Sequence, residues 1–154
     1  MKRIMFVCHG NICRSPMAEF IFKKMLSDKG LESSFFISSS ATSREEIIGN
    51  VGNPVYPPAR AELKKHGINP DSKRAVQITK SDYDKYDLLI VMDSMNMRNL
   101  MRIIGSDPEE KVKKLMDYTD RGGDVADPWY TGDFATTYRD ISDGCEGLLK
   151  ALVK

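Results

Sequence analysis

A cysteine and an arginine enclose five residues near the start of the chain, in the run Cys8-His9-Gly10-Asn11-Ile12-Cys13-Arg14-Ser15. Five residues suffice to wrap a loop round a tetrahedral anion so that successive backbone N–H groups point inward. The segment Ser15-Pro16-Met17-Ala18-Glu19 reads as a helix start, with Ser15 at the N-cap and Pro16 at the first helical position. The positive end of that helix then faces the same anion, and Arg14 can fork two donors onto phosphate oxygens. A cysteine in this setting, with an ordinary pKa of about 8.5, has its thiolate favoured over the thiol. These residues suit phosphoryl transfer through a cysteine nucleophile, with His9 to Cys13 as the phosphate loop.

Cys-x5-Arg alone is a weak signal, since a strand–loop–helix junction with a buried structural cysteine shares it. The context sharpens it. Ile4-Met5-Phe6-Val7 is a short apolar run suited to a buried strand leading into the loop. Gly10 removes bulk where backbone must approach a ligand, and Asn11 tolerates left-handed backbone and can brace a loop with its amide. A phosphoester with a poor leaving group also needs a proton donor. The carboxylates of the long C-terminal loop are the candidates: Asp117, Asp120, Asp124 and Asp127. Asp127 stands out because Pro128 holds it extended and Trp129-Tyr130 offer aromatic surface to an aryl substrate. The same carboxylate could then deprotonate the water that hydrolyses the thiophosphate.

The elements that must position these groups follow from the pattern of the 154 residues, which fit one domain spanning 1–154. A strand over Arg3 to Cys8 precedes a helix from about Pro16 to Lys29, striped by Met17, Phe20, Ile21 and Met25. Phe35-Phe36-Ile37 begins a second strand running into Ser38-Ser39-Ser40, followed by a loop from Thr42 to Pro57. Pro58 to His66 reads as a helix stopped by Gly67, and Thr79 to Tyr86 as a short one. Leu88 to Met92 is apolar on both faces, the mark of a buried parallel strand. Ser94, as N-cap, opens a helix to Ile104, and Val112 to Met116 is a poorer, lysine-bearing edge strand. After an irregular stretch, a final helix from about Asp133 to Val153 repeats Phe134, Tyr138, Ile141, Cys145, Leu148 and Leu152 along one face. Alternating strands and helices give an α/β three-layer sandwich on a parallel sheet, with ligands beyond the strand C-termini. The cradle, Ser39, Asp93 and the loop after Met116 gather there.

Composition removes other classes. The 23 basic and 22 acidic side chains leave a formal charge of +1, so no global field favours nucleic acid or a membrane. No run approaches membrane-spanning length and no signal-peptide core is present. Three cysteines, two of them in one loop, argue against a secreted disulfide scaffold and fit a reducing cytoplasm. Two distant histidines make a metal site improbable, and no cofactor is expected.

The chain resembles the low-molecular-weight protein tyrosine phosphatases over nearly its whole length. The matching stretches are Val7 to Pro16, Ser39-Ser40-Ala41-Thr42-Ser43, Lys65-His66-Gly67, Val91-Met92-Asp93 and Asp127-Pro128-Trp129-Tyr130. The resemblance implies a four-stranded parallel sheet of flavodoxin-like (phosphotyrosine protein phosphatase I-like) arrangement. It implies Cys8 as nucleophile, Arg14 as phosphate clamp, Asp127 as general acid and then base, and Ser15 aiming its hydroxyl at the sulfur. Asn11, Ser39 and His66 match positions that brace the loop; for His66 the alternative is a favourable helix C-terminus. Phosphotyrosine proteins or aryl phosphates are the implied substrates, and phosphate-like oxyanions the implied inhibitors. Cys145 and the nine methionines read as core.

One position departs from the family's pattern: Glu45 stands where an aromatic residue often walls the substrate slot, which would disfavour acidic peptides and leave more of the stacking to Trp129. A protein arginine phosphatase of the same fold is the rival enzyme, against which Ile12 and Trp129-Tyr130 favour an aryl phosphate. A phosphopeptide-binding module without turnover is the rival from another class, and it would need neither Cys8 nor Asp127. The resemblance also supports a Cys8–Cys13 disulfide that rescues an oxidised Cys8.

Overall fold

The protein is described here by a computed structural model covering residues 1–153. Its centre is a four-stranded, wholly parallel sheet in the order β2 (Phe35–Ala41), β1 (Lys2–Cys8), β5 (Leu88–Val91), β6 (Val112–Lys114). Ile4 to Val7 are buried because both faces of β1 are covered. Ile4, Phe6 and Cys8 point towards a core formed with α1 (Arg14–Asp28), α2 (Pro57–Lys65) and α6 (Phe134–Leu152). Met5 and Val7 point the other way, to Tyr83 of α3 (Asp82–Lys85) and Leu100 and Ile104 of α4 (Ser94–Ile104). On the larger side Phe6, Phe22 and Phe35 meet edge to face, each pair adding about 0.5–1.5 kcal/mol beyond its buried area.

Several boundaries differ from the sequence pattern. The first helix starts at Arg14 with Cys13 as its cap residue, so Ser15 lies inside the first turn and is not the N-cap. The cap of α4 is Asp93, whose carboxylate accepts from the Asn96 N–H, in place of the expected Ser94. The 42–57 loop contains a two-residue antiparallel hairpin, β3 (Ile47–Ile48) with β4 (Val51–Gly52). Gly52 is needed there, because a Cβ would collide with the Ala75 backbone. The edge strand ends at Lys114, and Leu115 to Tyr118 close into a 3₁₀ turn against α6. Gly144 and Gly147 allow that approach: a side chain at 147 would strike the Tyr118 carbonyl, and one at 144 the Leu115 side chain. This accounts for two helix-weakening residues inside α6.

Register places the working loops together. Cys8 pairs with Ala41 and Val7 with Val91, so the loops after β1, β2 and β5 leave the same edge of the sheet. Among the described residues no helix is long and apolar enough to cross a membrane.

Candidate active site

The loop between β1 and α1 wraps round the sulfur of Cys8. Asn11 adopts φ 61°, the left-handed turn that closes the loop. The backbone N–H groups of Asn11 and Ser15 each lie 3.4 Å from Cys8 Sγ, and Ser15 Oγ lies 3.0 Å from it. Cys8 thus sits at the start of α1, where amides and helix dipole favour negative charge. It forms the floor of a cleft of about 400 Å³ whose rim carries Glu45, Asp127 and Trp129. A larger hollow of about 490 Å³ beside α1 and α6, lined by Met25, Leu31 and Leu149 among others, has no cysteine in its lining.

A chain of hydrogen bonds runs beneath the loop. Asn11 Oδ1 accepts from the Val76 N–H at 3.0 Å, which turns Nδ2 towards Ser15 Oγ (2.8 Å) and Ser39 Oγ (3.0 Å). Ser39 donates onward to Glu19 Oε1 at 2.6 Å. Because Ser15 Oγ accepts from Asn11, its own hydrogen is left for Cys8 Sγ or the Ser40 carbonyl 3.3 Å away. Glu19 is buried, and its charge is met by Lys23 Nζ at 2.6 Å and Lys73 Nζ at 3.7 Å. Lys73 also donates to the Ser39 carbonyl at 2.8 Å. Burial lowers the Lys73 pKa, and the charge of Glu19 only partly offsets this.

Glu19 and Lys73 are the residues that the sequence reading missed, whereas His66 is not in this network. His66 is the C-cap of α2; it stacks on Tyr138 of α6 with ring centroids 3.7 Å apart and faces Glu62 Oε2 at 3.2 Å. The chain turn that ends α2 carries the ring to α6 and away from the loop, and Lys73 occupies the bracing position.

Arg14 reaches across the cleft. It is 3% exposed, and its Nη1 donates to Asp93 Oδ2 at 2.6 Å and to the Val125 carbonyl at 2.9 Å. Its Nη2 lies 3.5 Å from Asp127 Oδ2. Burial works against the guanidinium's charge, but Cys8, Asp93 and Asp127 outweigh it and raise its pKa. Asp93 is therefore both the cap of α4 and a carboxylate of the site. Asp127 also has two tasks: Oδ1 accepts from the Trp129 N–H at 3.0 Å, capping α5 (Pro128–Thr131), and Oδ2 faces the cleft. The Asp-Pro pair is therefore a cap and first-turn proline.

At the mouth, His9 Nε2 pairs with Glu45 Oε2 at 2.9 Å. Glu46 packs where Gly10 has no side chain, its Oε1 accepting from Asn53 Nδ2 at 2.9 Å. Trp129 leans on Tyr56 with centroids 4.8 Å apart, and the Tyr56 N–H donates to the Ile12 carbonyl at 2.9 Å. Tyr130 is largely exposed beside it. Burial first, then the charge of Cys8, push the Cys13 thiol well above the ordinary cysteine range, so it stays protonated. The cleft can hold a tetrahedral dianion against amides and a guanidinium, with a nucleophile below and a carboxyl group beside it. Among the described residues no His, Cys, Asp and Glu cluster is arranged to hold a metal ion.

Comparison with known proteins agrees with this arrangement. Residues 3–154 match the family "Low molecular weight phosphotyrosine protein phosphatase", and the chain belongs to that family. It is 38% identical over 156 residues to the Bacillus subtilis low molecular weight protein-tyrosine-phosphatase YfkJ, covering 100% of this chain and 97% of that one. The crystal structure of YfkJ superimposes with a TM-score of 0.92 over 99% of this chain and 94% of its own. The human low molecular weight phosphotyrosine protein phosphatase is 37% identical, covering 97% of this chain and 94% of that protein. A Drosophila arginine phosphatase shares the fold at TM-score 0.87 and 26% identity, over 100% of this chain and 99% of that one.

Proposed function

We propose that the chain is a protein tyrosine phosphatase that works through a phosphocysteine and needs no cofactor. The phosphate of the substrate enters the loop of residues 9–13 and takes donors from its amides and from Arg14. Cys8 Sγ attacks phosphorus and forms the S–P bond as the P–O bond breaks, and Asp127 gives its proton to the departing phenolate oxygen. Asp127, now a carboxylate, takes a proton from a water that attacks phosphorus; the S–P bond breaks, and inorganic phosphate and the Cys8 thiolate result. Ser15 steadies that thiolate as it forms and as it is released. The observation that carries this reading is that Cys8, Arg14 and Asp127 line one cleft, with Arg14 Nη2 3.5 Å from the Asp127 carboxylate.

An aryl substrate is supported by the aromatic wall of Trp129 and Tyr130 and by Ile12 in the loop. The loop's affinity for tetrahedral anions makes phosphate-like oxyanions inhibitors, and a reducing cytoplasm suits a working thiol. The chain acts as a single phosphatase domain, 1–154, on phosphotyrosine proteins and with no role for nucleic acid or membrane. The test is hydrolysis of phosphotyrosine and phosphoarginine peptides side by side, with the natural protein and with Cys8→Ser. Release from phosphotyrosine that is lost in Cys8→Ser is expected. Preference for phosphoarginine would keep the mechanism and overturn the substrate; binding without release from either would make the chain a phosphopeptide-binding module.

A further inference from the structure

We infer that Glu45 selects among phosphotyrosine substrates by charge, favouring a Lys or Arg next to the phosphotyrosine over an Asp or Glu. The inference rests on the tyrosine phosphatase reading. With the phosphate seated on Cys8, the tyrosine ring must leave the cleft between two walls. One is aromatic, Trp129 and Tyr130. The other is acidic, Glu45 and Glu46, presented by the segment that leads into the β3–β4 hairpin.

This acidic wall is held in place. Glu46 is fixed at both ends, its side chain by Asn53 Nδ2 and its carbonyl by the Asn53 N–H at 2.8 Å, and it packs on Gly10. Glu45 stands beyond it at the rim, 67% exposed, with the 45% exposed His9 as its partner. Among the described residues neither Arg14 nor Arg44 forms an ion pair with this wall. Arg14 is buried under the phosphate site and held by Asp93 and the Val125 carbonyl, and Arg44 donates to the Gly49 carbonyl at the hairpin turn. Once the phosphate occupies the loop, a flanking peptide side chain therefore meets two carboxylates and one imidazole. A substrate ammonium or guanidinium can replace His9 at Glu45 with little desolvation, because both groups are already wet. A substrate carboxylate instead meets the repulsion of Glu45 and Glu46.

The experiment measures kcat/KM for two phosphotyrosine peptides that differ only in carrying Lys or Glu next to the phosphotyrosine, at low salt and one pH. We expect the natural protein to prefer the Lys peptide about three- to tenfold, the scale of one exposed attraction gained and one repulsion removed. Added salt should shrink the preference. Glu45→Gln should bring the ratio towards unity, and Glu45→Lys should invert it. Equal rates on both peptides in the natural protein would overturn the charge selection and leave the phosphatase reading standing, as would a ratio unmoved in both variants. No phosphate release from either peptide by the natural protein would remove both.

Discussion

Asp93 Oδ2 lies 2.6 Å from Arg14 Nη1, so the residue that caps α4 also anchors the arginine that starts α1. Two elements of the sheet edge are thereby tied through one guanidinium before any phosphate arrives. A charged hydrogen bond of this kind contributes about 1.5–3 kcal/mol. We expect Asp93→Ala to lower stability by that order and to weaken inhibition by inorganic phosphate about tenfold, because Arg14 loses its aim. Thermal unfolding and phosphate inhibition constants check it; unchanged phosphate affinity would mean that Val125 and the loop alone hold Arg14.

Asp127→Asn separates the two tasks of Asp127. Asparagine caps a helix about as well as aspartate, so α5 and the aromatic wall should keep their place and Tm should hardly move. The lost proton should lower kcat/KM, which reports only the steps through P–O cleavage, about 10²- to 10⁴-fold on phenyl phosphate, and far less on an ester with a strongly acidic leaving group. Equal losses on both esters would remove Asp127 as the acid.

Buried Glu19, with part-buried Lys73 3.7 Å away, forms the inner end of the chain that leads to Cys8. Glu19→Ala leaves Lys73 without its anion and Ser39 without its acceptor, and removing one partner of such a pair costs about 3–5 kcal/mol. For a domain of this size that is a fall in Tm on the order of 10 °C. Replacing Glu19 by Leu and Lys73 by Met should recover much of the stability but not the rate, since Ser39 would lose its acceptor and Ser15 would no longer be oriented through Ser39 and Asn11. Full recovery of kcat in the double variant would show that the pair serves folding alone.

Cys13 is protonated and buried beside Cys8 in one loop, and both are free thiols. Mild peroxide should convert Cys8 to a sulfenic acid; with the Cys8 charge gone, Cys13 gives up its proton more readily and attacks as the thiolate, forming the S–S bond while the departing hydroxide takes up that proton as water. Intact-mass and peptide analysis should find the 8–13 disulfide, reversible by dithiothreitol. Cys13→Ala should instead accumulate the irreversible sulfinic acid at Cys8.

The loop and its acid were legible because their chemistry is written in contiguous residues: Cys8 to Arg14 after an apolar run, and Asp127 before a proline and two aromatics. β1, β2 and β5 were legible from apolar runs such as Leu88 to Val91, and β6 only as a poorer, lysine-bearing edge strand. Glu19 and Lys73 were not, since an acid on the first helix and a lysine in an irregular stretch read as solvated, and only folding brings them together. His66 misled for another reason: the match of Lys65-His66-Gly67 to the family's pattern gave it a bracing role, yet this ring packs on Tyr138. The β3–β4 hairpin escaped because two-residue strands have no periodicity to detect.

The capping of α5 has a mechanical consequence. The Asp127 carboxylate is fastened by one oxygen to the backbone of Trp129, and Trp129 in turn rests on Tyr56. A ring pressing on the indole therefore shifts the lever on which the proton is mounted. Fit of the substrate and timing of the proton are set by one small rigid arm, so ligands too short to touch Trp129 should be cleaved with the acid poorly aimed.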